Sequence, residues 1–254
     1  MKKRLLFLAI ILTVPLTLVL PAPDASATPP RLVGVTQPGL GVFPTAEVVR
    51  IFWPGGPETF SEDRSIAAIH PGKTLIVSFR TVPDPTRWRS VLANWQSTGR
   101  HIWWVYRHEA DLPGDSITPA QYHAAYTALT APATANSANV HSMTILTGGA
   151  VYRGEADQWY IPNVNAIGFD VYYLTNLPRV LTYAHTKGKP VAIPEWGNGT
   201  DLVNVNATDD QDLAFAKTYI GLLTPDVFAA CWLSRLHNDL SHLPKTRAYL
   251  ASLV

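Results

Sequence analysis

Short apolar runs alternate along this chain with longer amphipathic segments. The runs at residues 32–36, 48–53, 74–79, 101–106, 142–147, 166–171, 190–194 and 228–234 are rich in Val, Ile and aromatic side chains. They are mostly apolar throughout instead of alternating, which is the pattern of parallel strands covered on both faces. Several of the intervening segments carry helix signals. Asp84-Pro85 can cap a helix whose Trp88, Val91, Leu92 and Trp95 share one face, with Gly99 ending it. Thr118-Pro119 opens a second, with Tyr122, Ala125, Tyr126 and Leu129 in register. Leu177, Val180, Leu181 and Ala184 form a third, stopped by Gly188. Thr208 and Gln211 have capping-box spacing ahead of Leu213, Ala216, Ile220 and Leu223. After the first, second and fifth runs no comparable apolar stripe exists, so the helices there are poorly defined. Eight strand–helix units in one chain predict an α/β fold, a (β/α)8 TIM barrel built as a single compact domain.

The N-terminus stands apart from this pattern. Lys2, Lys3 and Arg4 precede an apolar stretch over residues 5–20, and Ala25-Ser26-Ala27 supplies small residues at cleavage spacing. Pro15 and the short length argue against a membrane span. Residues 1–27 are therefore expected to be a signal peptide cleaved after Ala27, leaving a secreted barrel domain over 28–254. Removing them takes three of 20 Lys+Arg and one of 19 Asp+Glu, so the remainder carries 17 − 18 = −1. That balance offers nothing to nucleic acid or an anionic membrane and suits a neutral substrate; the chain is expected to be a monomer. Cys231 is the single cysteine, so no internal disulfide can form. Between Phe228 and Trp232 it reads as a packed thiol, not a nucleophile.

The candidate chemistry lies at strand ends. Of six glutamates beyond residue 27, two follow strongly apolar runs: Glu109 after the fourth and Glu195 after the seventh. In a (β/α)8 barrel the C-terminal strand ends form the active-site face, and strands four and seven stand close enough around the ring for both side chains to converge. A carboxylate at the end of a buried strand is poorly solvated and persists when it is paired or used. Salt bridges to Arg107 or Arg80 are the structural alternative. Two facing carboxylates are otherwise the equipment of glycoside hydrolysis, one protonating the leaving oxygen and the other staying ionised. A zinc site is disfavoured because His101, His108 and Glu109 lack the spacing and a third ligand. Gly-Xaa-Ser-Xaa-Gly and a Gly-rich phosphate loop are absent, so neither an esterase elbow nor a nucleotide cofactor is indicated. Asn198-Gly199-Thr200 and Asn206-Ala207-Thr208 match the glycosylation pattern, a short motif with a high chance frequency.

Three short motifs carry a family resemblance. Arg107-His108-Glu109, the run from Trp159 through Ile167-Gly168-Phe169-Asp170-Val171-Tyr172, and Pro194-Glu195-Trp196-Gly197 resemble the clan A glycoside hydrolases, most of all family 26, which contains β-mannanases and related β-glycanases. The resemblance implies a metal-free, cofactor-free retaining enzyme acting on a polysaccharide or oligosaccharide, with mannan as first substrate and xylan, β-glucan or a cell-wall or exopolysaccharide behind it. It implies Glu195 as nucleophile and Glu109 as general acid/base. His108 would hydrogen-bond near the nucleophile or the substrate, and Tyr172 would donate its hydroxyl to Glu195. Trp232 would form a sugar-stacking floor, with Trp196, Trp104 and Arg107 as further substrate contacts and Asp170 as an orienting group. Because Tyr173 is adjacent, which of the two tyrosines faces inward is open. The alternative from another class is a non-catalytic glycan-binding barrel, which has no need of two converging carboxylates.

Overall fold

The apolar runs are strands, and their burial on both faces follows from how they close. In the computed structural model, which describes residues 32–199, 206–235 and 238–254, they are β1 (Val33–Thr36), β2 (Val48–Trp53), β3 (Thr74–Phe79), β4 (Ile102–Tyr106), β5 (Val140–Thr147), β6 (Ala166–Asp170), β7 (Val191–Trp196) and β8 (Val227–Trp232). Each pairs in parallel with the next, and β8 pairs with β1, so the sheet is a closed barrel in chain order. This is the expected (β/α)8 architecture. The expected signal peptide, residues 1–27, lies outside the described residues, as does Thr200 of the first glycosylation pattern.

Helices form where sequence supplies both a cap and a stripe. In α2 (Pro85–Ser97), the Asp84 carboxylate accepts from the amides of Thr86 and Arg87 at 3.0 and 2.9 Å, and Trp88, Val91, Leu92 and Trp95 are buried. Thr118 and Thr208 make full capping boxes with Gln121 and Gln211, opening α3 (Pro119–Thr130) and α7 (Asp209–Leu222). The third striped helix is α6 (Leu177–Lys187), ended by left-handed Gly188, and α8 (Pro244–Ala251) closes the chain. Where the stripe is missing the elements are short. A single 3-10 turn, Gln37–Gly41, follows β1; α1 (Arg64–Ala67) follows β2; α4 (Gly148–Arg153) and α5 (Ala156–Trp159) follow β5. With little apolar surface to bury against the sheet, such segments cannot offset the cost of ordering a long helix.

Side-chain alternation divides the core in two. Outward residues such as Val49, Ile51, Val77, Trp104 and Ile167 pack beneath the helices. Inward residues Val48, Ile76, Val105, Met143, Ile145, Ala166, Ala192, Ala229 and Cys231 fill the barrel. At its N-terminal end Trp103 packs between His141 and Phe228, with ring centroids 4.7 and 4.6 Å away. Toward the C-terminal end the lining turns polar. Arg50 points inward from β2, is completely buried, and sets its guanidinium 4.6 Å from the Phe52 ring centre. The inward positions Gly34, Ser78, Gly168 and Cys231 on other strands carry small side chains or none. Burial also pushes the Cys231 thiol well above its ordinary range, consistent with a packed, unreactive group.

Candidate active site

Glu109 reaches the barrel mouth through an irregular strand end. Regular β4 stops at Tyr106, and both Arg107 (φ 45°) and Glu109 (φ 57°) are left-handed. The Arg107 amide bonds back to the Phe79 carbonyl at 2.8 Å, while that of Glu109 bonds across to Ile145 at 2.9 Å. Amides two residues apart on one extended strand would face the same neighbour. Here the chain turns between them and carries Glu109 over the mouth. Each left-handed non-glycine residue costs on the order of 1 kcal/mol, and the surroundings hold the conformation. Arg107 is ion-paired with Asp115. The Asp111 carboxylate accepts from the Thr147 amide at 2.8 Å and from its hydroxyl, tying the segment to the end of β5.

Glu195 is placed by a second irregularity. β7 extends to Trp196, past the expected end at Pro194, and its register against β6 and β8 shifts around that proline, which has no amide to donate. The ladder resumes with the Val171 amide donating to the Glu195 carbonyl at 2.9 Å. The Glu195 carboxylate accepts a hydrogen bond from the Tyr172 hydroxyl. That contact decides between the adjacent tyrosines: Tyr172 faces the carboxylate, while Tyr173 is 45% exposed.

Two cavities, of about 430 and 490 Å³, flank the carboxylates and share Glu109, Glu195, Leu233 and Arg235 as walls. One lobe continues past Tyr172, Tyr173, Asn176, Gly149 and Arg153. The other continues past Phe52, Trp53, Pro54, Arg80 and His108. The result is a cleft with the two glutamates at its middle.

The electrostatics separate the two carboxylates. Burial, reinforced by the charges of Glu195 and Asp111, raises Glu109 to about 7, with Arg50 and Arg80 opposing the shift. Glu195 receives a hydroxyl proton in a hydrogen bond, which favours its ionised form. Beneath them Asp170 is fully buried with neither carboxylate oxygen hydrogen-bonded; burial, then the Glu195 charge, pushes its pKa well above the usual range, toward the neutral form. His108 stacks edge-on to Phe52 with centroids 5.0 Å apart. Burial and the charges of Arg50 and Arg80 drive its pKa well below 6.5, so the ring is neutral. Among the described residues no cluster of three or more His, Cys, Asp or Glu side chains is arranged to hold a metal ion.

The structure thus brings Glu109, Glu195, His108, Tyr172 and Asp170 together and excludes four other expected residues from the cleft surface. Trp232 and Trp196 are completely buried between sheet and helices. The Trp232 indole donates to the Asn238 carbonyl at 2.8 Å, and Trp196 stacks on Tyr219 at 4.5 Å. Neither presents a face to a sugar. Both lie on the outward side of their strands, so the expected stacking floor is corrected to core packing. Trp104 is likewise core, its indole donating to the Ala135 carbonyl at 2.8 Å. Arg107 lines neither cavity because its guanidinium is turned to Asp115. The aromatic walls are instead Phe52 and Trp53 at the end of β2, joined by Arg80 just after β3 and Arg235 after β8. The sequence marked Arg80 only as a possible salt-bridge partner of the glutamates and did not single out Phe52, Trp53 or Arg235, although the strand-end rule that singled out the glutamates applies to their positions.

What the fold and site define first is a class: a (β/α)8 barrel with two glutamates converging at the C-terminal mouth. No protein-family model matches the sequence, and no curated protein matches it either. Solved structures do share the barrel, and several of them are glycoside hydrolases by name. A glucosidase from Croceicoccus marinus superposes with a TM-score of 0.59 at 12% identity, over 88% of this chain and 67% of that one. The catalytic domain of a GH26 endo-β-1,4-mannanase from Bacillus sp. JAMB-750 gives 0.56 at 13% identity, over 91% and 87%. For a β-glucuronidase from Bacteroides uniformis the TM-score is 0.54 at 14% identity; the match spans 81% of this chain but only 30% of that one. At such identities the likeness is one of fold.

Proposed function

We propose that the protein is a secreted retaining glycoside hydrolase that cleaves a β-linked polysaccharide within the chain. The observation that carries this is the pair of unlike carboxyl groups in one cleft, Glu109 raised to about 7 and Glu195 hydrogen-bonded by Tyr172. In the first step Glu109 gives its proton to the glycosidic oxygen as that bond breaks, while a Glu195 oxygen bonds to the anomeric carbon. In the second, Glu109, now ionised, takes a proton from water; the water oxygen attacks the anomeric carbon and Glu195 leaves with its bonding pair. Two inversions return the β configuration. Cavity on both sides of the pair supports cleavage within a chain, since sugars can be held on either side of the broken bond. The first test is turnover on mannan, xylan and mixed-linkage glucan, with the initial product anomer read by proton NMR. An initial α-anomer from a β-linked chain overturns the retaining assignment; no turnover on any β-glycan favours a binding barrel.

The environment of Glu109 makes a stability prediction. Its folded-state pKa of about 7 lies above the ordinary 4.5, so folding favours the neutral carboxyl. The stabilisation is complete below about pH 4.5 and is lost as pH rises through about 7. Roughly 2–3 kcal/mol is at stake. Glu109→Gln, which cannot ionise, should therefore melt progressively higher than the wild type between pH 5 and pH 8. Parallel melting curves across that range would count against a buried, raised Glu109. Turnover on natural glycans should decline over the same rise, because the acid that protonates the leaving oxygen is lost.

Tyr172→Phe isolates the hydroxyl that holds Glu195. A hydrogen bond to a charged group contributes about 1.5–3 kcal/mol. Its removal should lower kcat by roughly 10- to 100-fold with little change in KM, because the bond serves the nucleophile and not substrate binding. A change confined to KM would place Tyr172 on the substrate instead.

A further inference from the structure

The two lobes of the cleft differ in charge. On the Tyr173 side, among the described residues, the cation that is not shared with the other lobe is Arg153, and it is committed: its guanidinium bonds Glu155 at 2.6 Å and lies 3.4 Å from Asp111. On the Phe52–Trp53 side two guanidinium groups line the wall, Arg80 and Arg235. Among the described residues neither has an ion pair or a side-chain hydrogen bond. Among the described residues the carboxylates bordering this lobe are Glu109 and Glu195. Arg50 lies buried below, all three of its guanidinium nitrogens without a hydrogen-bond partner and its charge acting on Glu109, His108 and Asp170. Burial pushes the Glu109 and Asp170 carboxyls toward their neutral forms, which leaves less negative charge opposite Arg50, Arg80 and Arg235. The lobe is positive although the chain as a whole is near neutrality.

We infer that this lobe binds a sugar residue bearing an anionic group, a uronate carboxylate, with Arg80 and Arg235 as its ligands and Phe52 and Trp53 as the apolar wall. Guanidinium forks match carboxylates with paired, charge-assisted hydrogen bonds. A sugar face presents C–H groups that pack on aromatic rings. The Trp53 indole nitrogen donates to Asp63 at 2.8 Å, which orients that ring without competing for the substrate. The opposite lobe shares Arg235 but lacks Arg80, and its own Arg153 is already neutralised, so paired guanidinium ligation is offered on the Phe52–Trp53 side. The acidic sugar is therefore bound on one side of the cleavage point. This assignment rests on the glycoside hydrolase reading and deepens it by naming the substrate class.

Two matched pairs of oligosaccharides test it: β-1,4-manno- against β-1,4-mannurono-oligosaccharides, and β-1,4-gluco- against β-1,4-glucurono-oligosaccharides. Within each pair the members share linkage and ring stereochemistry and differ at C6. Binding is measured by calorimetry on the Glu195→Ala protein, so that no turnover intervenes, and kcat/KM is measured on the wild type. In at least one pair the acidic member should bind at least about tenfold more tightly at low salt, with most of that margin gone at 0.5 M salt. In R80Q/R235Q on the same background the ratio of acidic to neutral affinity should fall toward one. Both side chains are exposed, so the fold tolerates the change, and a melting curve verifies it. Equal affinity within both pairs, absence of binding by both acidic series, or a preference that survives in R80Q/R235Q overturns the inference. The two readings fail separately. Turnover of neutral glycans without acidic preference leaves the hydrolase standing and removes the uronate. An arginine-dependent acidic preference without turnover by the wild type on any β-glycan does the reverse.

Discussion

Glu195→Ala should abolish turnover on every substrate, whatever its leaving group, because without that carboxylate no covalent glycosyl-enzyme can form. The loss expected on removing the nucleophile of a covalent mechanism is on the order of 10⁵- to 10⁶-fold. Glu109→Ala should behave differently. A sugar hydroxyl is a poor leaving group and must be protonated as it departs, so natural glycans should be cleaved roughly 10²- to 10⁴-fold more slowly. An activated aryl glycoside departs unaided; its first step should be largely spared, and glycosyl-enzyme should accumulate. Azide should then rescue Glu109→Ala, since a small anion attacks the intermediate without a general base and fits where the side chain stood. The product should be the β-glycosyl azide. If azide instead yields the β-azide with Glu195→Ala and the α-azide with Glu109→Ala, the roles are exchanged, because azide standing in for a deleted nucleophile attacks with a single inversion. Equal, unrescuable losses in both variants would reduce the pair to structural carboxylates. The asymmetry follows from the site: Glu109 is raised toward neutrality by burial and its neighbour, and Glu195 accepts a hydroxyl hydrogen bond.

Gly34→Ala should produce the largest loss of stability from a single methyl group. Gly34 points into the barrel from β1, opposite Val48 of β2. A Cβ there would lie 2.2 Å from the Val48 carbonyl oxygen and 2.3 Å from its Cγ1. The side chain can rotate, but the carbonyl belongs to the β-ladder and cannot retreat without opening the barrel seam. Overpacking of this kind costs about 3 kcal/mol or more where the backbone itself is in the way. For a chain of this size that corresponds to roughly 6–12 °C in melting temperature. Gly41→Ala is the matched control, because a Cβ there meets nothing within 4 Å; its effect should stay within about 0.5 kcal/mol. Similar melts for the two variants would mean that the seam between β1 and β2 is looser than its geometry. Activity would fall with Gly34→Ala as well, since Thr36, two residues on, lines the cleft.

Much of this was legible in one dimension. Parallel strands buried on both faces must be apolar throughout, so all eight could be found from composition alone, and capped, striped helices such as those at Trp88–Trp95 and Leu177–Ala184 declare themselves locally. The same logic explains why the connections after β1, β2 and β5 are short: without a stripe there is nothing to bury. Glu109 and Glu195 stood out because a carboxylate directly after an apolar run is expensive unless paired or used. Their convergence needs only the rule that strand ends share a face.

The remainder was decided by direction, which sequence spacing does not carry across an irregular strand. Trp196 and Trp232 follow apolar runs just as the glutamates do, yet they point outward into the core and not into the cleft. For β7 the deciding event is the register shift around Pro194, which turns Glu195 inward and leaves Trp196 stacked on Tyr219. For β4 it is the pair of left-handed residues around His108. Arg107 reads as a site residue until Asp115, eight positions away, claims its charge. Arg80 and Arg235 gain a role in binding only when β3 and β8 bring them together beside the two glutamates without an ion pair among the described residues. Alternation, capping and burial cost act over a few residues and are written in the chain; which charges remain unpaired depends on partners from distant strands, and only the closed barrel assembles those.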